Sequence, residues 1–84
     1  MRGQLNKLSD AAVLRLKRAK ELAKWLNEVK GGSRAEIDAH MFLVNGLKPT
    51  PVTVLLKQMA ASGLIRLHGY RWVLTIQGKL WALT

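Results

Sequence analysis

Two histidines are the side chains of this sequence best suited to proton transfer at neutral pH, and there is no cysteine to serve as a nucleophile. His40 follows Glu36 by four residues, so both could reach one metal ion from one helix face. Two ligands are too few for a tight metal site, and Glu36 also fits a helix-capping pattern. His68 precedes Gly69 in a segment typical of a tight turn. The sequence also lacks glycine-rich phosphate loops and carboxylate pairs at catalytic spacing, so we expect no enzyme activity, no metal and no other cofactor.

The chemistry that the composition favours is the binding of anions. Fourteen Lys and Arg residues stand against five Asp and Glu residues, which gives the 84-residue chain a formal net charge of +9. None of the five acids lies between Lys48 and Thr84. Such a charge attracts polyanions, and the candidates are a nucleic acid, an anionic membrane surface or an acidic protein. Composition alone does not choose among them.

The segment from Thr50 to Gly63 predicts one surface that could read DNA. Its apolar residues recur at helical spacing at Val52, Leu55, Leu56 and Met59. If these face a core, the opposite face presents Thr50, Thr53, Val54, Lys57, Gln58 and Ala61. Gln58 could read adenine, Lys57 guanine or a phosphate, and the methyl groups of Val54 or Thr53 a thymine methyl. An ordinary solvated face is the alternative interpretation.

A β-hairpin is predicted directly after that helix. The runs 64–67 and 71–74 are short and β-favouring, and a two-residue turn at His68-Gly69 would join them. This turn places Arg66 opposite Arg71, an arrangement that is destabilising unless an anion such as a phosphate lies between them. Both arginines could instead point into water, and a register shifted by one residue would separate them.

Four helices, including the one just described, are predicted from their caps. The first begins after Ser9, runs for about 20 residues and ends at Gly31-Gly32. Its apolar stripe consists of Ala12, Leu16, Ala19, Leu22 or Ala23, Leu26 and Val29. The second helix has the capping box Ser33-x-x-Glu36 and a stop at Asn45-Gly46, with Ile37, Met41 and Val44 on its apolar side. Thr50-Pro51 should open the third helix, and Thr75 should cap a short last helix that ends near Leu83.

The flanks of these helices supply further candidate contacts. Arg34 at the start of the second helix and Lys48 before the third could each bind a phosphate. The first helix carries Arg15, Lys17, Arg18, Lys20 and Lys24, which form a solvated face or else contact flanking DNA or an acidic protein. Leu14 and Trp25 lie off its apolar stripe and are candidates for a dimer or partner contact, although Trp25 could instead pack on Trp72 or Trp81 within the monomer.

The order of three helices and a hairpin is that of the winged helix-turn-helix domains. Thr50 to Gly63 followed by Leu64-Ile65 resembles the recognition helix and Gly-Leu-Ile exit of winged-helix transcription regulators. Leu74-Thr75-x-x-Gly78 resembles the Leu-Thr-x-x-Gly segment after the wing in multiple-antibiotic-resistance-type regulators. The resemblance covers roughly residues 33–83 and implies that helix 50–62 enters the major groove while hairpin 64–74 lies on the DNA backbone. The chain differs in having a very short wing, no flanking dimerisation helices and no ligand-binding segment.

The sequence thus predicts one mainly α domain over residues 1–84 with a small β-hairpin, a short C-terminal helix and a flexible basic lead-in at 1–8. We expect a sequence-specific DNA-binding transcription regulator of the phage or microbial kind, cytoplasmic and nucleoid-associated, and a homodimer, because one module reads few base pairs. No apolar run approaches the ~20 residues that span a membrane. Two alternatives remain: a protein-interaction module that docks an acidic partner, as an inhibitor or architectural subunit, and a non-specific DNA-coating protein. The target sequence, any effector and the sign of regulation stay open.

Overall fold

A computed structural model describes residues 9–84, so the predicted lead-in over 1–8 lies outside the described residues. Within this range the chain forms four α-helices and three short strands. They are α1 (Asp10–Val29), β1 (Gly32–Ser33), α2 (Arg34–Asn45), α3 (Pro49–Ala61), β2 (Ile65–His68), β3 (Arg71–Leu74) and α4 (Ile76–Ala82). The prediction of a mainly helical chain with a small antiparallel sheet is confirmed. The sheet has the order β1-β3-β2, and β1 was not predicted. None of the helices over 9–84 is long and apolar enough to cross a membrane.

Helix α1 has its predicted start and length but buries only part of its predicted stripe. The Ser9 hydroxyl accepts a hydrogen bond from the Ala12 amide at 3.1 Å, as an N-cap should. All of its buried residues lie in the second half, from Ala19 to Leu26. Leu16 is 51% exposed and Val29 42% exposed, so the prediction that both face the core is wrong. Helix α4 is short and its end lies beside Lys20, whose Nζ donates to the Thr84 hydroxyl at 2.7 Å.

The end of α1 also differs from the prediction. The left-handed residue that closes the helix is Lys30, with φ 63°, and its amide donates to the Leu26 carbonyl. Gly31 follows with φ 104°, and a Cβ there would lie 2.9 Å from a methyl group of Val73. The glycine therefore permits the close approach of α1 to β3, while a lysine takes the left-handed position that glycine usually occupies.

Helix α2 begins and ends as predicted. The Ser33 hydroxyl accepts from the Glu36 amide at 3.2 Å, and Glu36 Oε1 accepts from the Ser33 amide at 2.8 Å. Gly46 closes the helix with φ 64°, and the buried Leu47 folds back so that its amide donates to the Met41 carbonyl. The predicted inward position of Val44 is wrong, because this side chain is 54% exposed.

Helix α3 starts earlier than predicted. Its N-cap is Lys48 and not Thr50, and no side chain caps the first amides. Pro49 and Pro51 lie in the first turn, where a missing amide proton costs no intrahelical bond. The inward face is as predicted, with Val52, Leu55, Leu56 and Met59 all buried.

The hairpin has a different register from the predicted one. His68 pairs with Arg71 and Ile65 with Leu74, so the turn residues are Gly69 and Tyr70. Arg66 consequently lies opposite Val73, and the predicted Arg66–Arg71 pair does not form. Directly opposite residues share a face of the sheet, so this register places Ile65, Leu67, Trp72 and Leu74 together on one side. Burial of the Ile65–Leu74 pair, and not the local turn preference, accounts for the register.

The predicted last helix is present, and its internal glycine has a reason. The Thr75 hydroxyl accepts from the Gly78 amide at 3.0 Å and so caps α4. Gly78 is buried, and a Cβ at this position would clash with the carbonyl oxygen of Leu64 and lie 2.9 Å from its carbonyl carbon. A residue that weakens helices is required here because α4 passes directly over the backbone of Leu64, between α3 and β2.

Candidate functional site

The outward face of α3 carries the residues predicted to read bases. Thr50, Val54, Lys57 and Gln58 are exposed, while Thr53 is half-buried. They follow one another along a helix whose other face is packed into the core. The set therefore lies on one accessible surface, and its contact with bases stays a prediction.

Thr53 has a second task that the sequence did not reveal. Its hydroxyl donates to the Pro49 carbonyl at 3.1 Å and accepts from Arg34 Nη2 at 2.7 Å. The hydroxyl is thus committed within the protein, and only the methyl group of Thr53 is suited to an apolar contact with a base.

Arg34, predicted to bind a phosphate, is the centre of a network between α2 and α3. Its Nε donates to Asp38 Oδ1 at 2.8 Å, and its Nη2 donates to the Pro49 carbonyl at 2.8 Å as well as to Thr53. These bonds fix the start of α3 relative to α2. A phosphate contact by Arg34 would have to share the guanidinium with them. Lys48, one residue before Pro49, is exposed at the N-terminus of α3.

The two hairpin arginines occupy different environments on one face of the sheet. The register puts Arg66, His68, Arg71 and Val73 on the side opposite the apolar set. Arg66 is exposed, whereas Arg71 Nη2 donates to the Gly31 carbonyl at 2.7 Å and Nη1 lies 3.7 Å from Glu36 Oε1. Arg66 is therefore the better placed of the two for a phosphate, and Arg71 attaches β3 to the start of α2.

Glu36 joins the capping box to the hairpin. The pKa of its carboxyl is lowered, chiefly by the hydrogen bond from the Ser33 amide, against an opposing effect of desolvation. The Ser33 hydroxyl and the charge of Arg71 lower it further. At neutral pH Glu36 is a carboxylate with two structural partners, which leaves it poorly suited to the metal site considered with His40.

His40 lies in a cluster that the sequence did not predict. Its Nε2 is 2.7 Å from Glu21 Oε2, and its ring stacks on Trp25 with the centroids 4.3 Å apart. Trp25 also lies 3.2 Å from the position that a Cβ on Gly32 would take. Trp25 thus packs within the monomer, but its stacking partner is His40, whereas the alternative named Trp72 or Trp81. Leu14 is 44% exposed. In the described part of the chain no three His, Cys, Asp or Glu side chains are grouped to hold a metal ion.

The basic face of α1 is only partly a solvated face. Arg15, Lys17 and Lys24 are exposed, but Arg18 and Lys20 are half-buried. Lys20 Nζ lies 4.7 Å from the centre of the Trp81 ring, a cation–π contact that attaches α4 to α1. Two of the five cations therefore have structural surroundings.

Charge is unevenly distributed along the chain. All five acids lie at or before Asp38, and residues 39–84 carry only cations: Lys48, Lys57, Arg66, Arg71 and Lys79. The segment that forms α3, the hairpin and α4 therefore carries only positive side-chain charge, although Glu36 of α2 lies 3.7 Å from Arg71 on the hairpin. Comparisons with protein-family models, curated proteins and solved structures found no match to this chain.

Proposed function

We propose that this protein is a winged-helix DNA-binding protein that recognises a specific sequence and regulates transcription. The observation that carries the proposal is the outward face of α3, which has small, amide and single-cation side chains in a segment with no acidic residue. Lys57 and Gln58 are long enough to reach base edges, and Val54 is suited to a thymine methyl. The role is binding without catalysis.

The hairpin supplies the second half of the proposed contact. The chain passes from α3 into β2 through Gly63, whose φ of 77° allows the sharp reversal. Arg66 on β2 and Lys48 at the other end of α3 are both exposed. In our proposal they bind phosphates on either side of the groove that α3 enters, while Arg71 and Arg34 hold the hairpin and the helix in position.

We further propose a homodimer through α1 and α4. Val13, Leu14 and Leu16 are exposed on the first half of α1, and Leu80 and Leu83 are exposed on α4. These two helices pack on each other in the monomer. A second copy would cover apolar side chains that are otherwise in water, and two copies would read two half-sites. A protein that works in this way belongs at the nucleoid in the cytoplasm.

Selection from a random-sequence DNA pool by the purified protein, at two salt concentrations, tests the proposal. We expect an enriched motif, and a palindromic motif for a dimer. If about four phosphates are neutralised, log affinity should fall with log salt with a slope of roughly −4. Salt-sensitive binding without any motif would instead indicate a DNA-coating protein.

Variants separate base contacts from phosphate contacts. Lys57→Ala and Gln58→Ala should relax the motif at single positions, whereas Arg66→Ala should weaken binding to all sequences alike. Lys24→Ala, an exposed cation on α1, is the matched control and should change neither property. Equal losses on every sequence from all three site variants would refute the assignment of α3.

A protein-interaction module is the second candidate, and one observation favours it. Phe42, Leu43 and Val44 are consecutive exposed apolar residues at the end of α2, and Leu43 is 80% exposed. Exposed apolar patches of this kind mark protein contacts. If the protein binds no DNA, an acidic protein partner whose binding is lost in Leu43→Ser would become the better proposal.

A further inference from the structure

A cleft of about 450 Å³ lies between the C-terminal end of α1, the hairpin and α4, away from the residues proposed to read bases. Three cations from three different elements line it, namely Lys30 after α1, Arg66 on β2 and Lys79 on α4. His68 and Asn27 add an imidazole and an amide. Among the described residues that line the cleft there is no carboxylate. The convergence of cations without a counter-charge favours an anionic occupant.

The rest of the wall is apolar. Leu26, Val73 and Leu74 contribute aliphatic surface to the same cleft. Small-molecule sites typically have volumes of roughly 300–1,000 Å³, and the volume of this cleft lies within that range. Leu26 and Leu74 are buried and Val73 is half-buried, so the aliphatic surface open to a ligand is small and lies mainly at Val73, which favours an anion that carries an apolar group.

The backbone of Lys30 is an independent sign of function. Lys30 is the one non-glycine residue among the described residues that has a positive φ, and it directly precedes two glycines. A left-handed conformation is unfavourable for a residue with a Cβ, and glycine would serve the helix end without that strain. Strained positions of this kind cluster at ligand sites. Lys30 thus contributes a positively charged side chain to the wall of the cleft, which a glycine at this helix end would not do.

We propose that this cleft binds a small phosphorylated ligand with a planar ring, of the nucleoside monophosphate class. Lys30, Arg66 and Lys79 bind the phosphate, and Asn27 and the aliphatic wall contact the nucleoside. This site goes beyond the proposed DNA contact, since it takes a free small molecule. Arg66 serves in both sites, but Lys30 and Lys79 have no part in the DNA contact.

Titration of the isotope-labelled protein with adenosine monophosphate, followed by amide NMR shifts, tests the site. We expect shifts at Lys30, Gly31, His68, Val73 and Lys79, while the amides of Lys57 and Gln58 do not move. Uncharged adenosine and inorganic phosphate should each bind more weakly than the nucleotide. No saturable shift would overturn the proposal, and equal affinity for phosphate and nucleotide would overturn the assignment of the ring.

Two variants test the cations. Lys79→Gln should weaken nucleotide binding about tenfold, the loss of one charge-assisted hydrogen bond. Lys30→Gly should weaken binding to a similar extent while the melting temperature is unchanged or higher, because glycine relieves the left-handed strain. Lys24→Gln removes the same charge at an exposed position of α1 that does not line the cleft, and should change the affinity less than about twofold. Equal losses from Lys24→Gln and Lys79→Gln would show only general attraction of anions and would refute the site.

A parallel titration with duplex DNA keeps the two proposals apart. Duplex that shifts α3 while the nucleotide shifts nothing would leave the proposed function standing and overturn the cleft. Nucleotide binding in the cleft without any DNA binding would do the reverse.

Discussion

Two regions of the molecule differ in how closely they are packed. One is the joint between the hairpin and α4, and the other is the outer half of α1, residues 10–18. In the joint, the Thr75 hydroxyl donates to the Gly63 carbonyl at 2.6 Å, approaches the Leu64 carbonyl at 3.2 Å and accepts from Gly78. In the outer half of α1 no residue is classed as buried, and Leu16 is half exposed. Both regions contain a helix N-cap. Thr75 in the joint is hydrogen-bonded to residues on both sides of the hairpin, whereas Ser9 caps an exposed first turn of α1.

A periodic apolar pattern and a buried surface are separate properties of a helix. Leu16 belongs to the same helical stripe as Ala23, which lies seven residues further on, but Ala23 is fully buried. Burial depends on which other elements reach the stripe, and α4 ends beside Lys20. Among the described residues, the outer half of α1 therefore keeps apolar side chains exposed, whereas the joint is held by hydrogen bonds from several chain segments.

The largest effect should come from Gly78→Ala. The added methyl group meets the backbone of Leu64, which cannot move without shifting α3 or β2, so we expect a loss of about 3 kcal/mol in the free energy of unfolding. Urea denaturation followed by circular dichroism measures it. Gly46→Ala is the control, since its Cβ would have no neighbour within 4 Å and only the left-handed φ is strained. That variant should lose about 1 kcal/mol. Equal losses would show that the joint is not tightly packed.

Thr75→Ala tests the cap in the joint against the cap of α1. It leaves the Gly78 amide without its partner and removes a donor to the Gly63 carbonyl, so we expect a loss of about 2 kcal/mol. Ser9→Ala removes the matching cap at the outer end of α1 and should cost about 0.5 kcal/mol. Both values come from urea unfolding at neutral pH, and a larger loss for Ser9→Ala would reverse the comparison.

Acid titration tests the contacts of Glu36, which lies beside Arg71 at the other edge of the hairpin. The pKa of Glu36 is lowered in the folded protein, so its carboxylate stabilises the fold at pH values above 4.5, the usual pKa of a glutamate. This contribution is lost as the pH falls through the lowered pKa. Glu36→Gln should therefore be less stable than the natural chain at pH 7 and approach it below pH 4.5. Urea midpoints of both proteins across this range measure the difference, and a constant gap would contradict the assignment.

The smallest change in monomer stability should come from Leu16→Ala in the outer half of α1. An exposed position should change the free energy of unfolding by no more than about 0.5 kcal/mol, whereas Leu22→Ala should cost about 3 kcal/mol. If the proposed dimer uses this surface, Leu16→Ala should still weaken dimerisation in analytical ultracentrifugation. A large loss of monomer stability would mean that Leu16 is covered within the monomer.

Local chemistry predicted the limits of most elements from the sequence. Ser33, Gly46 and Thr75 cap helices through hydrogen bonds to residues three or four positions away, so short sequence motifs are enough to predict these caps. Hairpin register depends instead on the distant burial of Ile65 and Leu74, and a local turn preference at His68-Gly69 gave the wrong pairing.

The candidate site followed the same rule. The outward face of α3 was predictable because helical geometry relates it to the buried stripe. The partners of Arg34 come from α2 and from 15 to 19 residues further along, and the cleft combines three elements, so no local pattern could have indicated either. The two-residue β1 is too short to produce any alternating pattern.

The carbonyl oxygen of Leu64 also has a consequence for motion. It accepts from the Thr75 amide at 3.0 Å and lies close to the Thr75 hydroxyl, while the Leu64 amide donates to Met59 in α3. The end of α3, the hairpin and the start of α4 therefore cannot open one at a time, since each holds a hydrogen bond of the next. Their amide protons should exchange with solvent together, as one cooperative unit with a single opening free energy, long after those of the first turns of α1 have exchanged.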